Sequence, residues 1–188
     1  MTTPGAQTKA RILAAGRAEF ASFGFAGARI DRIADAASVN KERIYAHVGD
    51  KQVLFAAVVA ANSAELYRTI ALDAADLPGS AGRIFDHLTA QPENLRILDW
   101  ARLEGLDEIA ATFDLRHPDR AALLDSIAQS QRAGLVRADV SPNDVLVSIF
   151  AIATAWMHAP RHLVEAQVSP EGARRALVVE SVRRIVAP

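Results

Sequence analysis

A chain of 188 residues that is 51% hydrophobic and 23% charged can bury a substantial core, as one large domain or two small ones, and is not a disordered segment. The absence of cysteine excludes a disulfide framework and a thiolate metal site. A net charge of -1 seems to disfavour nucleic acid. It hides an asymmetry, however: residues 1–51 hold eight Lys and Arg against five Asp and Glu, whereas residues 52–188 hold thirteen against seventeen.

Along the chain, Met1 to Thr8 has no apolar core of the kind a signal peptide needs. The longest apolar stretch, Val145 to Met157, is too short to span a bilayer, so a cytoplasmic chain without membrane partners is expected. Apolar residues recur at helical spacing nearly everywhere and no window alternates with a period of two, which predicts an all-α fold. Thr8 is placed to cap a first helix with Ile12, Leu13, Gly16, Phe20 and Phe23 on one face, ending at Gly24. Two short helices follow. Ile30, Ile33, Ala34 and Ala37 line one, a break falls at Ser38 and Val39, and Asn40 caps another that bears Ile44, Tyr45 and Val48. Asp50 then caps a long helix with Leu54, Val58, Ala61, Leu66 and Ile70. Beyond it, turn signals recur at Leu77 to Ser80, Gln91-Pro92, His117-Pro118, Gly134, Ser141-Pro142, Ala159-Pro160 and Ser169-Pro170. Each Pro suits the first turn of a new helix, where its missing N–H costs nothing.

Two short helices around a tight turn, inside a basic segment, describe a helix-turn-helix. Ile30, Ile33, Ala34, Val39 and Ile44 can form its small core, leaving Asn40, Lys41, Glu42 and Arg43 on or near an exposed turn that can enter a major groove. Arg43 and Lys41 are the best candidates to read bases, Arg43 because its fork can bond guanine O6 and N7 together. Residues 24–55, GFAGARIDRIADAASVNKERIYAHVGDKQVLF, resemble the DNA-binding signature of the TetR family through Gly24, Phe25, Ile33, Ala34, Ala37, Val39, Tyr45, His47 and Lys51. The resemblance covers about the first third of the chain. It implies a dimeric all-α regulator, a repressor of palindromic operator DNA released by a small effector, with a variable C-terminal domain. It also implies that Tyr45 and His47 touch phosphates and that Lys51, with the start of the long helix, clasps another. Such contacts suit a phenol, an ammonium and free helix-end N–H groups. Three positions depart from the pattern: Arg29 stands where the family usually has Thr, Ser38 where it has Gly, and Glu42 where it has a small residue. Arg29 is a longer arm that can still reach DNA, and Glu42 can accept from cytosine N4 or repel phosphate.

The domains expected are residues 1–51, a three-helix DNA-binding domain, and residues 52–188, a helical domain for ligand binding and dimerisation. In the second, Phe85, His87, Trp100, Phe113, Phe150 and Met157 combine apolar walls with polar groups as a ligand pocket requires, although each aromatic taken alone is better explained as plain core. Two late stripes suit an isologous four-helix contact: Val145, Ile149, Ile152, Ala153 and Trp156, and Leu177, Val178, Ser181 and Ile185.

No enzyme constellation, metal site or cofactor is expected. His158 and His162 have ligand spacing, but Pro160 between them breaks the helix that would present both. The sequence carries no His-Glu-x-x-His, no phosphate-cradling glycine loop and no Gly-x-Ser-x-Gly elbow. The competing readings are an all-α small-molecule-binding protein or enzyme without DNA function, and a helical adaptor that leaves the basic motif without a purpose.

Overall fold

The computed structural model describes residues 3–70, 73–106, 118–166, 169–170 and 172–188. Among these it contains helices and no strand. They are α1 (Pro4–Gly27), α2 (Ile30–Ala37), α3 (Lys41–His47), α4 (Lys51–Ile70), α5 (Leu77–Ala90), α6 (Pro92–Leu103), α7 (Pro118–Arg132), α8 (Pro142–His158), α9 (Arg161–Glu165) and α10 (Ala173–Val186). They form two compact units. Residues 1–65 and 91–116 make the first, and residues 66–90 and 117–188 the second.

In the first unit α1 begins earlier than the sequence predicts. Thr3, not Thr8, is the cap: its side chain accepts from the Ala6 N–H, and Pro4 occupies the first turn. Thr8 lies inside the helix and donates its hydroxyl proton to the Pro4 carbonyl at 3.0 Å. Ile12, Gly16 and Phe20 then fall on one buried face at four-residue intervals. Gly16 matters for the approach of α4, because a Cβ there would lie 3.1 Å from a Val58 methyl. Phe20, Phe25 and Phe55 form an aromatic cluster, with Phe55 edge-on to Phe20 at 5.0 Å and to Phe25 at 5.5 Å. Such pairs contribute about 0.5–1.5 kcal/mol each beyond their burial. Ile33, Ile44, Leu54, Val59 and Ile97 complete a core that α2, α3, α4 and α6 share.

Phe23, placed by its spacing on the inner face, is 48% exposed. Gly24 beside it, at φ 66° and ψ -177°, interrupts the helical backbone. The Arg32 guanidinium covers the Phe23 ring at 4.3 Å.

In the second unit α10 packs along α5, and α8 packs against α5, α7 and α10. Their shared core includes Ile84, Ile127, Ile149, Val178 and Val182. The predicted turn at Leu77 to Ser80 is instead the first turn of α5. Asp76 caps it through the Gly79 N–H, and the buried Ser80 hydroxyl accepts from the Asp73 N–H, so the reversal lies just upstream. Ser141 caps α8 as its spacing requires, accepting from the Asp144 N–H and donating to the Asp144 carboxylate. Pro160 separates α8 from α9, so His158 and His162 lie on different helices. Among the described residues, no helix is long and apolar enough to cross a membrane, and no group of three or more His, Asp or Glu side chains is placed to hold a metal ion.

Candidate nucleic-acid interface

The turn between α2 and α3 is closed by backbone bonds. Ser38 takes φ 54° and ψ 49°, and the N–H groups of Ser38 and Val39 return to the carbonyls of Asp35 and Ala34. This left-handed position explains why glycine suits the site, since a Cβ there costs about 1–2 kcal/mol. Asn40 then caps α3, accepting from the Arg43 N–H at 2.9 Å. Ile44 is the only residue of α3 that is fully buried, so this seven-residue helix is anchored by one side chain and its cap. Its remaining faces are open: Lys41, Glu42, Arg43, Tyr45 and His47 are all exposed, Tyr45 by 53%.

Arg29 makes no side-chain cap for α2, because a guanidinium has no acceptor. Its backbone N–H instead donates to Glu19 Oε1 at 2.8 Å, an oxygen that also accepts from Arg32 Nε. Glu19 is buried. Burial opposes its charge, but the hydrogen bonds from Arg32 and from the Arg29 N–H, together with both positive charges, outweigh it and hold the carboxyl below its usual pKa. The Arg29 side chain itself is exposed on the surface.

Lys41 forms an ion pair with Asp31, in the first turn of α2. Lys51 donates to the Ala26 carbonyl at 3.3 Å and sits 4.8 Å from the centre of the Phe25 ring. Asp50 caps α4 through the Val53 N–H. Helix α6 braces this corner in a way that no local sequence signal reveals, since the partners are nearly eighty positions apart. Glu104 accepts from the Ala26 N–H at 3.1 Å, and the Trp100 indole N–H donates to the Ala21 carbonyl at 3.3 Å. Trp100, read as a ligand-binding residue, is thus packed within the first unit against α1. Asp31 and Glu104 are the residues near this surface that sequence reasoning missed.

In the second unit, Phe85 and Trp156 meet edge to face at 6.2 Å. His87 is buried, while Phe150 and Met157 are half-buried. Phe113 lies outside the described residues. A groove of about 390 Å3 is lined by Arg137, Asp144, Val145, Ser148, Ile152 and Ile185 among others, and by none of the residues expected to bind ligand. Of the residues expected at a dimer contact, Ile149 and Val178 are fully buried within the chain, and Val145 is nearly so where it lines that groove. Leu177 is 53% exposed, and Ile152, Trp156, Ser181 and Ile185 are half-buried.

A family described as "Bacterial regulatory proteins, tetR family" matches residues 12–58, and one described as "Tetracyclin repressor-like, C-terminal domain" matches residues 76–184. The chain belongs to the tetR family. Consistent with this, it is 36% identical over 183 residues to the HTH-type transcriptional repressor SCO4008 of Streptomyces coelicolor, covering 95% of each chain. The crystal structure of SCO4942, from the same organism, is 41% identical and superposes with a TM-score of 0.82 over 95% of this chain and 98% of that one. A TetR family transcription regulator from Marinobacter aquaeolei shares the fold at 20% identity, with a TM-score of 0.74 and 96% of both chains covered. The protein is therefore an all-α transcriptional regulator of the tetR family. Its sequence resemblance, read from residues 24–55, lies wholly within the matched N-terminal segment.

Proposed function

We propose that this tetR-family regulator is a repressor that binds a palindromic operator as a cytoplasmic homodimer and leaves it when a small effector binds the second unit. The exposure of the α3 side chains carries the DNA reading: a short helix held by Ile44 presents Arg43, Tyr45 and His47 to solvent, with Arg29 exposed nearby. Arg43 reads a base edge, and Asn40, Lys41 and Glu42 flank it at the groove. Tyr45, His47, Lys51 and Arg29 hold phosphates, which fix register without reading sequence. Lys51 swings from the Ala26 carbonyl to do so. The repressive outcome is supported by the relative SCO4008, which is an HTH-type transcriptional repressor.

Dimerisation uses the outer surfaces of α8 and α10, where Ile152, Trp156, Leu177, Ser181 and Ile185 retain accessible area. A symmetric dimer places two α3 helices about 34–36 Å apart, one turn of duplex. An effector that prefers a different spacing shifts the population away from DNA, and only that difference in affinity can do so. Phe85 and His87 on α5, with Phe150 and Met157 on α8, supply the aromatic and polar character of an effector site.

Selection of bound duplexes from a random library, followed by titration of the enriched duplex at several salt concentrations, tests this function. A palindrome is expected, with affinity falling steeply with salt, as about 6–10 phosphate contacts require. A protein that enriches no sequence and binds every duplex weakly is not a repressor of this kind.

A further inference from the structure

Lys41 opens α3, where the helix dipole is positive, and a cation at that end is disfavoured by the field. Its counter-charge comes from the preceding helix. Asp31 occupies the first turn of α2, is ten positions away in sequence, and meets the Lys41 ammonium in an ion pair. Both side chains remain more than half exposed, at 61% for Asp31 and 52% for Lys41, so the pair lies on the surface and is not part of the core. The other charges near the start of α3 are Glu42 in its own first turn, Arg43 beside it and Asp35 on α2. Removal of Asp31 would leave Lys41 repelled by the helix end, on a long stem that reaches outward.

We infer that Asp31 limits the sequence-independent part of the affinity: by holding Lys41 against α2 it keeps that ammonium off the phosphate backbone. This rests on the proposal that α3 enters a major groove. A lysine that is not held contributes to every duplex alike, because phosphate contacts carry no sequence information. Asp31 is a positioning residue in this scheme and acts through Lys41, with no contact of its own to DNA.

The test is a double-mutant cycle with Asp31→Asn and Lys41→Ala, using the duplex enriched by selection and a scrambled duplex of equal length, each titrated at several salt concentrations. In Asp31→Asn, affinity for both duplexes rises by the same factor, up to about fivefold, the ceiling set by an exposed ion pair. The salt slope for each steepens by about 0.9, one added phosphate contact, and the ratio of specific to scrambled binding stays as it was. Asp31→Glu, which keeps the pair, restores the affinity of the unaltered protein for both. In the Lys41→Ala background, Asp31→Asn changes nothing. Persistence of the effect in that background overturns the inference, since Asp31 then acts through its own charge or its own base contact. An unchanged salt slope in Asp31→Asn also overturns it. If the unaltered protein binds neither duplex with salt-dependent affinity, the DNA reading itself fails, and this inference with it.

Discussion

Replacing Gly24 by alanine perturbs the point where α1 turns toward the helix-turn-helix. Two costs add. The backbone there, at φ 66° and ψ -177°, lies in a region essentially reserved for glycine, and a side chain forced into it costs about 1–3 kcal/mol. The new Cβ would also lie 2.5 Å from Glu104 Oε1 and 2.8 Å from Trp100 Cε3, an overpacking worth about 1–3 kcal/mol more. A combined loss of about 4 kcal/mol lowers the melting temperature by roughly 8–16 °C at about 2–4 °C per kcal/mol. Gly105→Ala separates the two costs within the same unit, because its φ is also positive, at 68°, yet nothing lies within 4 Å of its Cβ. Thermal unfolding followed by circular dichroism should place Gly105→Ala between the unaltered protein and Gly24→Ala. If the two variants melt together, the packing of α6 against the turn contributes nothing. If Gly24→Ala melts with the unaltered protein, the argument for this turn is wrong altogether.

Ser38→Gly removes a Cβ from a left-handed position and should stabilise by about 0.5–1 kcal/mol, after the greater freedom of glycine in the unfolded chain is deducted; a lower melting temperature would contradict the strain. Glu19→Gln should destabilise the first unit by about 1–3 kcal/mol at neutral pH, leaving Arg32 without its buried partner. Because the folded pKa of Glu19 is lowered, its contribution is present above the unfolded value near 4.5 and is lost as pH falls through the folded value. The gap between the two proteins should therefore narrow in acid, and a gap independent of pH would remove the carboxylate from the account. Arg43→Ala should relax discrimination at one base position by about 1–3 kcal/mol, measured on duplexes substituted singly. Tyr45→Phe combined with Lys51→Ala should instead weaken binding to all duplexes and flatten the salt slope; an unaltered slope would take these residues off the phosphates.

The features that were legible in the sequence are those governed by local chemistry. Asn40, Asp50 and Ser141 cap their helices because a short side-chain acceptor before an apolar run has few other uses. Pro160 ends a helix and Gly24 kinks one for equally local reasons. What local pattern hid is contact between distant segments. Phe23 shares the period of the buried face yet lies outside it, next to the kink at Gly24. Val145, Ile149 and Val178 have the spacing of an interface stripe, but a stripe does not reveal which face points inward; here all three are buried within one chain, where α8 packs on α5, α7 and α10. Trp100 reads as a pocket aromatic until its indole is found on the Ala21 carbonyl, 79 positions away.

The charge count of the first fifty residues shows the same limit and carries a consequence for recognition. A surplus of three positive charges counts every Lys and Arg equally, whereas the fold commits several of them internally. Arg17 pairs with Glu65, Arg32 with Glu19, Lys41 with Asp31, and Lys51 bonds the Ala26 carbonyl. Among the described residues near the turn, Arg29 and Arg43 make no side-chain ion pair. The field that α3 presents is thus weaker and more localised than composition implies. A protein built this way gains less from indiscriminate phosphate attraction, and a larger share of its affinity for the preferred duplex must come from the few side chains that Ile44 and Asn40 hold in place.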